Sequence, residues 1–464
     1  MGDLRSSEGD AGPIGVAARY PLLAALIGRR SRRFAPGMRL GGGPLAFASE
    51  EPPRPLSLEE EAALAFAACG ITGHALAELP FASGDEPDGG GGGNVIINFA
   101  ARTVASGEAA HCVAVIVIND GGAWLLRRPQ DYPRAEIGEL VQLAHAGQLV
   151  ELYQRARVRI ADGRIDVPRD LRYVPAFNHY SANRPGTTVF LPIADLSTLY
   201  INILLAAFSE EYAAFVLDDR RNFRPAGIGQ FARSKGGYLH DDPRDERVGT
   251  VSLTEGWLGE FTAIEQGGML QNLGLMTQAL GLGGFPFFAA HPYIWPQALG
   301  FRMEQPSFSA TIGAGPVLKG LLRALRRDIP VPTAVGLERN GEVLLRPFCP
   351  PYSRTMEEAV VSFVETKYRE NAGIFRDGGA ATAWRDGAAV QAGIPRYSDR
   401  TIAAVIAYCT YIHRHYGRFP AAGGPFRTVL AYQAHHLDPA FYEQFYRPEA
   451  LTETQRRRVN SAAG

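Results

Sequence analysis

The chain has 464 residues, 46% hydrophobic and 20% charged, enough to bury a large core in two to three domain-sized units at most. A net charge of −1 and a pI near 6.8 argue against nucleic acid as a partner, since phosphate-binding surfaces carry a basic excess. The scattered Cys69, Cys112, Cys349 and Cys409 form no C-x-x-C pair and read as reduced thiols. The longest apolar run is broken by Pro192, Asp195 and Asn202, and the N-terminus lacks a secretory layout, so a cytoplasmic protein without a membrane partner is expected.

In chain order, residues 1–15 are polar and glycine-rich and read as a loose tail. Ala17 to Gly28 reads as a short apolar helix that delivers Arg29-Arg30-Ser31-Arg32-Arg33-Phe34. Four arginines around a serine repel one another unless an anion sits among them. Guanidinium forks and a hydroxyl donor suit a phosphate, while the plainer reading is a solvated basic turn. Ser57-Leu58-Glu59-Glu60 is a capping box that opens a helix to about Cys69, with Gly70 as its stop. Residues 80–94, with the run Gly89 to Gly93, read as a flexible loop. Arg102 to His111 leads into a strand from Cys112 to Ile118, which Asn119-Asp120-Gly121-Gly122 turns into a hairpin with Ala123 to Arg127. The pattern from Pro129 to about Thr187 is mixed. A strand over 187–193 follows, then a helix from an Asp195 cap to about Val216, then a charged loop over 218–250 that suits the rim or lid of a pocket.

The stretch from Glu265 to Ala290 carries the strongest periodicity. Met269, Leu273, Met276 and Leu280 recur at helical spacing, and Leu270, Leu275 and Leu282 widen the stripe, so a buried helix is predicted. It starts at a Thr262–Glu265 capping box or earlier, near Thr254. Gly274 in mid-helix costs about 1 kcal/mol against alanine, which points to a close approach of something bulky. Gly281, Gly283 and Gly284 stop the helix, Pro286 prevents its resumption, and Gly284 to Phe288 reads as an exposed-backbone loop. Further on, Pro316 to Arg327 is a helix with a basic face, and Val335 to Arg346 is a hairpin turning at Asn340-Gly341. Thr355 opens a helix to Tyr368, Asp399 to Tyr416 is a helix ended by Gly417, and Asp438-Pro439 begins another. His413, His415, His435, His436, Asp438 and Tyr442 crowd this end and invite a metal reading. Adjacent histidines cannot both face one way on a helix and no H-E-x-x-H spacing is present, so a helical appendage is preferred and no metal site is assigned.

Four pieces in this order carry a resemblance: R-R-S-x-R at Arg29, P-L-S-L-E-E-x-A-x-L at Pro55, A-C-G-I-T-G at Ala68, and Q-N-L-x-L-x-x-x-A-L-G-L-G-x-x-P at Gln271. Together they resemble the nitroreductase superfamily of FMN-dependent flavoproteins, closest to the thiazole/oxazole-forming peptide dehydrogenase-like branch. The resemblance covers, discontinuously, about residues 15–350. It implies an α+β fold in which helices flank a mostly antiparallel sheet. The expected layout is a tail over 1–15, an FMN-binding domain over 16–368 with insertions at about 129–187 and 218–250, and a helical C-terminal extension over 369–464.

The family's site, carried over by position, puts Arg29, Ser31 and Arg33, with Arg30, on the FMN phosphate and ribityl chain. It lays Gly284, Pro286, Phe287, Phe288 and Ala289 along the flavin edge, with the Phe288 N–H aimed at N5. Ser106 and His111 fall on the serine and tyrosine of a flavin-touching P-S-A-G-A-L-Y-P segment, from which Ala105 and Glu108 depart. A carboxylate at Glu108 is an awkward neighbour for an anionic reduced flavin. Arg346 or Arg354 is the expected late basic residue on the phosphate. Glu108, His111 and His291 are the acid–base candidates by position. The implied function is hydride transfer through flavin N5, with NAD(P)H or an organic substrate as donor, a small-molecule or peptide substrate, and a homodimer with FMN at its interface. Two alternatives stand beside it: a degenerate fold that binds a ligand without redox turnover, and a metal-dependent enzyme built on the C-terminal histidines.

Overall fold

The computed structural model describes residues 12–79, 96–288 and 291–462. Residues 1–11 of the tail expected over 1–15, the glycine run Gly89 to Gly93 and the flavin-edge candidate Ala289 lie outside the described residues, and the end of that tail, from Pro13, is helical. The helix expected from Ala17 is two, α1 (Pro13–Arg19) and α2 (Leu22–Gly28), because Pro21 cannot continue the first. Helix α3 (Leu58–Cys69) is as its capping box and Gly70 announce: the Ser57 hydroxyl accepts the Glu60 N–H, and the Glu60 carboxylate accepts the Ser57 N–H at 2.7 Å.

The fold is α+β, built on one antiparallel sheet. Strands β1 (Val113–Asn119) and β2 (Gly122–Leu126) form the expected hairpin, and β3 (Arg157–Asp162) pairs with β2. The mixed stretch before β3 holds α4 (Ile137–His145) and α5 (Leu149–Ala156). Strand β4 (Thr188–Asp195) pairs with β1, and α6 (Leu196–Ala207) leaves it under an Asp195 cap. That helix is shorter than expected, since Phe215–Asp218 is a strand of a small three-stranded sheet with Arg224–Pro225 and Val248–Thr250. The charged stretch after it is therefore not a plain loop. Its Asp218 accepts hydrogen bonds from Tyr411 at 2.8 Å and Tyr416 at 2.7 Å on a later helix.

Helix α7 (Val251–Ala279) runs 29 residues, about 43 Å at 1.5 Å per residue. It begins under a Thr250 cap, earlier than the Thr262–Glu265 pair; the Thr262 hydroxyl instead donates back to the Leu258 carbonyl at 2.8 Å. Met269, Leu273 and Leu280 are buried as their spacing requires. After Gly281 (φ +69°) the chain does not loop: Gly283–Phe287 is a strand, β5. Hairpin β6 (Thr333–Arg339) and β7 (Glu342–Leu345) turns at Asn340-Gly341 with both φ values positive, as a type I′ turn demands.

Helices α8 (Met356–Tyr368) and α9 (Asp399–Tyr416) follow, then short β8 (Phe426–Arg427), β9 (Ala431–His435), α10 (Pro439–Phe445) and α11 (Glu453–Ala462). The C-terminal segment is thus more than a helical appendage. Strand β9 lies inside the sheet, whose order is β5-β9-β4-β1-β2-β3, with β8 beside β9 on β4. Both sheet faces are covered: Val113, Val115 and Val117 join the core of α3, α6, α7, α8 and α9, while Ala114, Ile116 and Ile118 pack toward Phe285, Trp295 and Leu337.

Candidate functional site

The arginine-rich segment after α2 runs extended against the open edge of β5. The Arg32 N–H donates to the Gly284 carbonyl at 3.4 Å, and the two residues form an isolated bridge. Extended backbone alternates its side chains, and the alternation sorts the cluster. Arg32 turns inward and is buried; its guanidinium donates to the Ala450 carbonyl at 2.8 Å and to Gln278 Oε1 at 3.2 Å. Arg29 and Ser31 are exposed, and Arg33 is half-buried with its guanidinium 4.6 Å over the Phe285 ring and 3.3 Å from Asn178 Oδ1. Arg30 folds back on the carbonyls of Ile27 (3.0 Å) and Arg29 (2.8 Å).

Arg29 also explains Gly274. A Cβ there would lie 3.6 Å from Arg29 Cδ and 3.8 Å from the Tyr432 hydroxyl, so the arginine stem passes over the helix at its glycine. Gly283 and Gly284 answer to strand packing. Their Cβ atoms would come within 2.5 Å of Leu437 and 2.6 Å of the Tyr432 hydroxyl, on the segment that holds β9. Because the Gly284 carbonyl faces the open edge, the backbone of Pro286, two residues on in β5, faces it too, with no N–H to offer. Phe288 follows the end of the strand, in a turn. Phe287 is buried; Pro286 and Phe288 are exposed.

Ser106, Glu108 and His111 sit elsewhere along α7. Glu108, Ala109 and His111 have φ of +50°, +50° and +47°, a strained turn for residues with a Cβ. The turn is held by Glu265, which is fully buried and accepts hydrogen bonds from the Ser106 hydroxyl (3.0 Å) and the backbone N–H groups of Cys112 (3.1 Å) and Val113 (3.2 Å). Arg102, buried too, pairs with it at 3.4 Å and donates to the Val113 carbonyl at 3.0 Å. Neither residue's role was visible in the sequence beforehand; an acid inside an apolar helical stretch was the available signal. His111 is buried beside Arg102, and burial pushes its pKa down to about 3, which makes it a neutral side chain and no proton carrier near neutrality. Glu108 is exposed.

The remaining candidates are not brought to the arginines. Glu265 lies nine residues before Gly274 on α7, about 13 Å along its axis, so within one chain Ser106 and Arg29 are at different levels of the helix. His291 is half-buried between Tyr173 (5.3 Å) and Tyr293 (4.1 Å), on the opposite sheet face from His111. Arg346 lines a cleft beside β2 and β3, with three strands standing between β2 and β5, or about 20 Å at the usual strand spacing. Arg354 pairs with Glu358 at 3.1 Å. Of the C-terminal histidines, His413 and His415 lie on α9, and His435 Nδ1 lies 2.7 Å from the His436 carbonyl. Among the described residues no group of three or more His, Cys, Asp or Glu is placed to hold a metal ion. Nor is any helix among them long and apolar enough to cross a membrane.

No family model matches the chain, and no curated protein matches it. Among solved structures it is similar to a protein of Ralstonia eutropha JMP134, provisionally described as a nitroreductase, at 13% identity and a TM-score of 0.28, with 64% of this chain and 80% of that one covered.

Proposed function

We propose that the protein is an FMN-dependent oxidoreductase of the nitroreductase type, working as a homodimer with NAD(P)H or an organic substrate as hydride donor. One observation carries this reading. Two motifs some 250 residues apart in sequence, the R-R-S-x-R cluster and the segment after A-L-G-L-G, lie side by side on the open edge of β5, joined at Arg32 and Gly284. The donor set there suits a phosphate ester: Arg29, whose guanidinium makes no hydrogen bond or ion pair among the described residues, the exposed Ser31 hydroxyl, and the half-buried Arg33. Arg29 and Ser31 would anchor the phosphate, Arg33 would lie over the ribityl chain, and the Phe288 N–H would face the ring edge. Bound FMN supplies two-electron hydride chemistry at N5. The separation of Ser106 and Glu108 from Arg29 within one chain agrees with a site walled by two copies, the second copy contributing its 106–111 turn.

The absorbance spectrum of the purified protein tests this directly. It should show flavin bands and release FMN, not FAD, on denaturation, and sedimentation should give a dimer that loses flavin on dissociating. A colourless protein that takes up no added FMN would overturn the reading.

A further inference from the structure

The chain contains only three lysines, Lys235, Lys319 and Lys367, against a large excess of arginine. Lys367 is 3% exposed and sits in the wall of a cleft of about 940 Å³, between α8, α6, β7 and the segment after β2. Its Nζ donates to Asn202 Oδ1 at 2.7 Å and lies 5.6 Å and 5.2 Å from the rings of Phe363 and Phe375. Arginine would keep its charge in such a place; lysine is the basic residue that gives it up when buried.

The charges facing the cleft are mostly basic. Arg128 forks onto Asp131 at 3.1 and 3.0 Å, and Arg134 pairs with Asp377 at 2.6 Å, so these two acids are neutralised. Arg128 is nonetheless nine-tenths buried with Nη1 lacking a hydrogen-bond acceptor, 3.6 Å from Asp195. Among the described residues Arg346 donates only to the Tyr352 carbonyl, and Arg127, Glu342, Cys112 and Tyr132 complete the ionisable lining.

From this arrangement we propose that the cleft binds a small carbonyl compound bearing a carboxylate, and that Lys367 captures it as an imine. The carboxylate pairs with Arg346, in a lining whose net charge is basic. The Lys367 lone pair forms the C–N bond while the carbonyl π electrons move to oxygen, which takes up a proton. The carbinolamine then loses water, with the nitrogen's proton leaving in it, and no oxidant or reductant is consumed. The amine must be neutral to begin, and burial lowers its pKa from 10.5 to about 7, so about half is neutral at pH 7. The inference stands apart from the flavin reading, because the cleft and the β5 edge are different places.

The test is reductive trapping of the full-length protein with glyoxylate and cyanoborohydride, read by mass spectrometry. Cleavage after Arg354 and Arg369 isolates Lys367 in one peptide, and the other two lysines are internal controls. At pH 7 Lys367 should be labelled at least about tenfold faster than Lys235 and Lys319, which lie outside the cleft. Acetaldehyde, which lacks the carboxylate, should label it more slowly, and Arg346→Ala should slow glyoxylate without slowing acetaldehyde. Equal labelling of the three lysines, or labelling of Lys367 only in urea, overturns imine capture. Equal rates for the two aldehydes overturn the carboxylate requirement.

Discussion

Arg29 and Arg30 are neighbours of the same type with opposite prospects. Arg29 is exposed with its guanidinium uncommitted among the described residues, whereas Arg30 caps two carbonyls of its own helix end. A charge-assisted hydrogen bond contributes roughly 1.5–3 kcal/mol, so Arg29→Ala should weaken FMN binding about ten- to hundredfold by fluorescence titration. Arg30→Ala should change it less than about threefold, and riboflavin should bind wild type and Arg29→Ala alike. Glu265 makes the second residue-scale prediction. Glu265→Ala leaves the Arg102 cation buried without its counter-charge and two backbone N–H groups without acceptors, at a cost of about 3–5 kcal/mol of stability in urea denaturation. Glu265→Gln keeps an acceptor oxygen and should lose less.

At the scale of elements, the legible ones were those whose ends are written locally. Ser57 with Glu60 fixes α3, Gly417 in the left-handed region (φ +67°) ends α9, and Asn340-Gly341 sets the β6–β7 turn. Strands β5 and β9 were not legible. The first contains two glycines and a proline, which read as a loop; the second, Ala-Tyr-Gln-Ala-His, is buried on both faces and so shows no alternation. Only pairing with each other and with β4 makes them strands. The site divides the same way: a cluster such as Arg29, Ser31 and Arg33 stands out by charge, whereas Glu265 and Lys367 are single residues in helices and leave no pattern. Because β9 is internal, a chain stopped at residue 424 should be insoluble or unfolded by circular dichroism. A folded, soluble truncation would mean that the segment is an appendage after all.

For the whole molecule, acid sensitivity follows from buried neutral histidines. Burial lowers His111 to about 3 and His435 to about 4, so between these values and the ordinary 6.5 the unfolded chain binds protons that the folded one does not. Stability from each is complete above pH 6.5 and falls as pH drops, at up to about 1.4 kcal/mol per pH unit. Glu255, raised by burial to about 7, pulls the other way over the same window. The informative measurement is therefore a comparison: His435→Gln should lose less stability than wild type between pH 6.5 and 4 in denaturant titrations, and parallel curves would refute the assignment. Strand β9 has a further consequence, for biosynthesis. On the ribosome β4 and β5 emerge long before residues 431–435, and until those are made β4 lacks its neighbour on that side and β5 its partner in the sheet. Domains that close on a late strand cannot fold as they are made, and meanwhile they present open edges to other nascent chains. The half-made protein is thus a natural client for chaperones, and its yield in a cell depends on how quickly translation reaches the last strand.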